Sequence, residues 1–102
     1  LDGTSEMKII VRAFATIREV LGTDRAEISL DEGDSVRTLL KTLAKKFGSA
    51  FQKQVLVDED TLSPNVKVLV NGVDIEYLNG METKLKDGDE VAIIPPVAGG
   101  RL

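Results

Sequence analysis

The residues best suited to chemistry are Pro95, Pro96, Val97, Ala98, Gly99 and Gly100, which follow the apolar run Val91–Ile94. Val91, Ile93 and Ile94 are β-branched and suit a strand inside a sheet. Pro95 and Pro96 have no N–H to give a ladder, so they end the strand and favour an extended exit. Gly99 and Gly100 carry no side chain. A bare segment of this kind can enter a narrow channel in another protein and set its backbone against a reactive centre. A frayed terminus is the plainer reading of Gly-Gly alone, so the rest of the chain must decide.

Other chemistry is thinly represented. The chain has no Cys and no His. Disulfides, thiolate zinc sites, cysteine nucleophiles and histidine-based triads are therefore excluded. Asp58-Glu59-Asp60 is acidic but lacks the alternating Asp-x-Asp-x-Asp-Gly pattern of a calcium loop. It reads as a surface loop. Net charge is −4, with a pI near 4.8, which argues against nucleic acid or an anionic membrane as the main partner. No apolar run is long enough to span a bilayer. No signal-type segment opens the sequence, and a cytoplasmic location is expected. The chain looks like something acted upon.

The elements that would carry the tail can be read by periodicity. At 102 residues and 42% hydrophobic, the chain suits one domain with a modest aliphatic core. Residues 1–6 are polar and patternless and read as a flexible leader or the remnant of a tag. The folded domain is expected over 7–97, and 98–102 as a flexible tail. Lys8–Ala15 alternates: Ile9, Val11 and Ala13 point one way, Ile10, Arg12 and Phe14 the other, as in a strand. Ile17, Val20 and Leu21 give a short helix closed by Gly22. Ala26, Ile28 and Leu30 mark a second strand. Asp34 or Ser35 caps the main helix, whose stripe is Val36, Leu39, Leu40, Leu43, Ala44 and Phe47. Gly48 ends it, and Lys41, Lys45 and Lys46 lie on its solvated side.

Beyond that helix the pattern weakens. Phe51, Val55, Leu56 and Val57 are expected to pack, as a second short helix or an irregular segment. Val66–Val70 is a strand, Asn71-Gly72 is a type I′ hairpin signal, and Val73–Ile75 should return. Leu78–Leu85 is irregular. Lys86-Asp87-Gly88-Asp89 is a turn that launches the last strand. The first two strands are too close in sequence for a parallel crossover, and one long helix covers only one face of a sheet. The expectation is an α+β roll with a mixed sheet and the main helix packed on one face. The other face would carry Phe14, Leu69, Ala92 and Ile94, a candidate partner-binding surface, unless the irregular segments cover it.

Read in order, these pieces resemble the ubiquitin-like β-grasp sulfur carriers, most of all the small subunits of molybdopterin synthase (MoaD). Phe14-Ala15-Thr16-Ile17-Arg18-Glu19 is similar to that family's Phe-Ala-x-x-Arg-Glu. Asp34–Leu40 resembles its helix start, and Asn71-Gly72 its hairpin. Lys86–Gly100 resembles its C-terminal signature nearly throughout. The resemblance implies a β-grasp roll that is a carrier, without catalysis or bound cofactor of its own. A partner enzyme, using ATP and magnesium, would adenylate the Gly100 carboxylate, and a sulfur donor would leave a thiocarboxylate. The tail would then enter a larger synthase subunit and give its sulfur to a pterin precursor of the molybdenum or tungsten cofactor. Related archaeal and eukaryotic members join the activated glycine to lysines of target proteins, which is the alternative. By the same resemblance, Phe14 and Ile94 fall at partner contacts. A thiamine-pathway carrier fits Phe-Ala-x-x-Arg-Glu and Pro-Pro-Val less well. A passive interaction domain is the remaining alternative.

One departure from the family pattern matters. Arg101 and Leu102 follow Gly100, so Gly100 has no free carboxylate to activate. A processing peptidase cutting between Gly100 and Arg101 would supply one. A cloning artefact, or a member that has kept binding and lost carrier chemistry, are the other readings. Processing is favoured because the tail before it is intact.

Overall fold

The computed structural model describes residues 5–58 and 60–96. The elements are β1 (Glu6–Ala13), α1 (Ala15–Leu21), β2 (Arg25–Asp31), α2 (Val36–Phe47), α3 (Ser49–Val55), β3 (Lys67–Val70), β4 (Val73–Asp74) and β5 (Glu90–Ile94). Single 3₁₀ turns at Ile75–Tyr77 and Gly80–Glu82 connect β4 to β5. The five strands form one mixed sheet in the order β2-β1-β5-β3-β4. β1 and β2 are antiparallel, β1 and β5 parallel, and β3 antiparallel to both β4 and β5. This is the α+β roll expected.

Strand alternation sorts the two faces. Met7, Ile9, Val11, Ala13, Ile28, Leu30, Val68, Val70, Val91 and Ile93 are buried on one side. They join Val36, Leu39, Leu40 and Leu43 of α2 in a single core. Burying such aliphatic side chains contributes about 1.5–3 kcal/mol each, and Phe51 is the one aromatic that the core fully encloses.

Helix ends follow local chemistry. Gly22 closes α1 at φ 79°, a left-handed conformation that costs glycine little. Ser35, not Asp34, caps α2: its hydroxyl accepts from the Thr38 N–H at 3.5 Å. Asp34 instead closes the preceding turn, accepting the Asp31 N–H at 2.9 Å. Asn71 and Gly72 both have positive φ, 51° and 87°, as a type I′ turn requires.

Several boundaries differ from expectation. β1 takes in Glu6, and the Ser5 carbonyl accepts the Glu32 N–H at 2.9 Å, so the sheet starts before Met7. The return strand β4 stops at Asp74. That carboxylate accepts the Glu76 N–H at 2.9 Å and turns Ile75 into a 3₁₀ helix. Val57 does not pack with Phe51, Val55 and Leu56; it is 59% exposed. The chain bends out there into a loop built on Asp58, whose carboxylate accepts the N–H groups of Asp60 and Thr61. These bonds favour the ionised form, so the Asp58 pKa lies below the ordinary value, the bond from Asp60 being the largest cause.

Ile93 sits in β5 opposite Ala13 of β1 and Val68 of β3, with no exposed surface. Ile93→Ala should lower unfolding free energy by about 2–5 kcal/mol. Chemical denaturation would read this as a lower midpoint at unchanged slope; a loss under about 1 kcal/mol would contradict this placement of β5.

Candidate functional site

The candidate site is the end of β5 and the sheet face beside it. β5 is hydrogen-bonded on both sides, so its position is fixed by two neighbours. Its last paired residues are Ile93 and Ile94. Pro95 is buried and Pro96 exposed, so the ladder stops where the donors stop. The expected tail residues Val97, Ala98, Gly99 and Gly100, and the processing position at Arg101, lie outside the described residues.

The start of β5 is tied down by a polar clamp. Asp89 is 8% exposed. One carboxylate oxygen accepts the Asn71 side-chain N–H at 2.9 Å and the other accepts the Lys86 N–H at 2.8 Å. The Asp89 carbonyl accepts the Ile10 N–H at 2.9 Å. Asn71 returns the contact: its side-chain oxygen accepts the Glu90 N–H at 3.0 Å, and its own N–H donates to the Glu90 carbonyl at 2.8 Å. The hairpin turn and the launching turn are thus one unit. Sequence reading sees two separate turns here. Asn and Asp at turns are common, and their mutual bond spans a long separation that no local pattern reports.

On the open face, register sets the neighbours. Ala92 lies between Arg12 of β1 and Leu69 of β3, and Ile94 lies opposite Lys67. Ala13 pairs with Ile93, and Phe14 follows in extended conformation with φ −129° and ψ 149°. Phe14 and Ile94 therefore continue the open-face parity at the end where β5 leaves the sheet. Phe14 is 42% exposed; Leu69, Ala92 and Ile94 are partly buried. All four expected residues share one face, on the strand that carries the tail and its neighbours. The 3₁₀ turn at Gly80–Glu82 packs against α2, on the helical side.

Charges frame that apolar patch. Arg12 pairs with Glu90 at 3.2 Å, and Lys67 with Asp74 at 3.5 Å. The Arg12–Glu90 pair is exposed on both sides and contributes little to stability; in the other pair Lys67 is exposed while Asp74 is more enclosed. Ile10, partly buried and opposite Glu90, extends the patch. Its parity was legible, while its exposure was not. Ala15, just after Phe14, is held at φ 52°. A left-handed alanine costs about 1–2 kcal/mol, and here it swings the chain from β1 into α1 directly after Phe14. Among the described residues no group of three His, Cys, Asp or Glu side chains could hold a metal. No helix of the described residues is long and apolar enough to cross a membrane.

Known proteins resemble this chain in sequence and in fold. The sequence model of the ThiS family matches residues 11–100. Small archaeal modifier protein 3 of Haloferax volcanii is 37% identical over 94 residues, covering 92% of this chain and all of the relative. A molybdopterin synthase sulfur carrier subunit of Chlamydomonas reinhardtii is 35% identical over 95 residues, covering 92% of this chain and all of the relative. The solution structure of small archaeal modifier protein 1 from Methanosarcina acetivorans superposes with a TM-score of 0.78 at 33% identity. It covers 94% of this chain and 99% of that one.

Asn71→Ala should destabilise the fold by about 1–3 kcal/mol, because it removes one partner of a buried carboxylate and leaves the Glu90 N–H unpaired. Hydrogen exchange at Glu90 should quicken along with the loss of stability. An unchanged denaturation midpoint would show that the clamp contributes nothing.

Proposed function

The chain belongs to the ThiS family, and on that premise we propose that it is a sulfur carrier activated at Gly100. The observation that carries this reading is the coincidence of an apolar open-face patch with the exit of β5. Phe14 and Ile94 stand where the strand leaves the sheet, and Ala92 lies on the same face of β5. A partner docked there would receive the segment Val97–Gly100 without any rearrangement of the fold.

The chemistry asks little of the chain itself. Hydrolysis of the Gly100–Arg101 peptide bond by a processing peptidase frees the Gly100 carboxylate. A carboxylate is a poor electrophile. Attack of its oxygen on the α-phosphorus of ATP, in the magnesium-dependent activating enzyme, releases pyrophosphate and gives an acyl adenylate. Hydrosulfide displaces AMP directly to leave the thiocarboxylate. A persulfide donor displaces AMP to give an acyl disulfide, whose S–S bond a second thiol of the donor then reduces, freeing the thiocarboxylate and leaving the donor as a disulfide. The partners supply base, metal and sulfur donor; the chain supplies a thin tail and a surface that positions it. The names of the Chlamydomonas relative and the resemblance of the tail support molybdopterin synthesis as the destination of the sulfur, with a larger synthase subunit as the acceptor partner.

A second use of the same activated glycine is conjugation to lysines of target proteins. The Haloferax and Methanosarcina relatives, both called modifiers, favour it. Both uses share the adenylate and diverge at the nucleophile, sulfur in one and an amine in the other.

The shared step is the one to test. Protein ending at Gly100 should support pyrophosphate exchange with the activating enzyme of its own source, and protein retaining Arg101-Leu102 should not. Phe14→Asp in the Gly100-ended form should weaken exchange or downstream transfer while leaving the denaturation midpoint nearly unchanged. An inert Gly100-ended protein would overturn the reading.

A further inference from the structure

The sheet has two edges, and they are built differently. β4, at one edge, is two residues long. β2, at the other, spans seven residues without proline. A strand of that length with free outer groups is a template for pairing with another chain.

Hydrogen-bond parity shows which groups face outward. The Ala13 N–H donates to the Asp24 carbonyl, and the Glu32 N–H to the Ser5 carbonyl. With the register of β1 and β2, even-numbered residues of β2 turn their backbone groups toward β1. Arg25, Glu27, Ser29 and Asp31 turn theirs outward. The two ends of this outer row are already occupied. The Thr23 hydroxyl accepts the Arg25 N–H at 3.2 Å and donates to the Arg25 carbonyl at 3.0 Å. The Asp31 N–H donates to Asp34 at 2.9 Å, and the Asp31 carbonyl accepts the Asp34 N–H at 3.0 Å. Between these caps lie the outward groups of Glu27 and Ser29.

We propose that this gap is a self-association site, in which β2 pairs antiparallel with β2 of a second copy about a two-fold axis at Ile28. In that register Glu27 faces Ser29 of the other copy, and each exchanges its N–H and C=O with the other. Ile28 faces Ile28 across the axis. The side chains agree with the backbone. Arg25 faces Asp31 of the second copy at both ends, opposite charges on the same face. Glu27 faces the Ser29 hydroxyl, which can donate to a carboxylate. Neighbouring registers fail on both counts. Centring on Glu27 sets glutamate against glutamate and needs the occupied groups of Arg25. Centring on Ser29 sets Glu27 against Asp31 and needs the occupied groups of Asp31. The contact is small, so association is weak and concentration-dependent. Both open faces lie on the same side of the joined sheet, and β5 stays inside each copy.

A charge-swap cycle on the full chain tests this. Sedimentation velocity should show a reversible dimer as concentration rises toward about 1 mM, the weak end of specific association. Amide protection at Glu27 and Ser29 should grow with concentration. R25E and D31R should each weaken the dimer about tenfold, because each puts like charges opposite one another at both ends. The double variant R25E/D31R should restore it. Both side chains are exposed, and circular dichroism should show the same fold in all forms. A monomer at every concentration would overturn the proposal. So would a dimer insensitive to either swap, or one that the double variant fails to restore.

Discussion

The fold depends on the insertion of β5 between β1 and β3. Without it the sheet falls into two separate hairpins, β1–β2 and β3–β4, and an isolated hairpin is marginal in water. β5 pairs parallel with the first strand and antiparallel with the third, so the end of the chain's fold closes onto its beginning. Its buried residues Val91 and Ile93 reach the middle of the core. A tail attached to this strand has a fixed origin, because moving it would require opening the sheet on both sides.

That constraint explains the placement of polar groups that otherwise look costly. Asp89 is a buried carboxylate, yet each of its oxygens has a donor, which offsets the desolvation. Together with Asn71 it sets where β5 begins. Arg37 acts similarly on the helical side: it reaches Glu82 at 2.8 Å and the Asp60 backbone carbonyl at 2.6 Å, joining α2 to both irregular segments. Lys41, expected on a purely solvated face, also reaches Asp60 at 3.2 Å. The connections between α3 and β5 are thereby held, at Asp60 and Glu82, to the helix that they flank.

What could be read from the sequence was whatever repeats locally. The stripe Val36–Phe47 gave α2 its observed ends, and alternation gave β1, β2, β3 and β5 their buried faces. The placement of Phe14, Leu69, Ala92 and Ile94 on one face followed from parity alone. The misses and the open choice have a common cause. α3 is the short helix that was one of the two alternatives expected there; it follows Gly48 with no side-chain cap, so no start signal decided between them. The 3₁₀ turns are too brief to show a period. Val57 continues an apolar run, but the Asp58 loop turns it outward. The Asp89–Asn71 bond joins distant residues, and composition carries no trace of it. Gly99 and Gly100 were legible only as residue types, and their role rests on what precedes them.

The carrier reading holds that the fold exists to present one activated glycine, and the most direct test is the intact mass of the protein isolated from its native host. The account predicts a chain that ends at Gly100, with a fraction in which one carboxylate oxygen is replaced by sulfur. A population retaining Arg101 and Leu102 throughout would contradict it, because Gly100 would then have no carboxylate to activate.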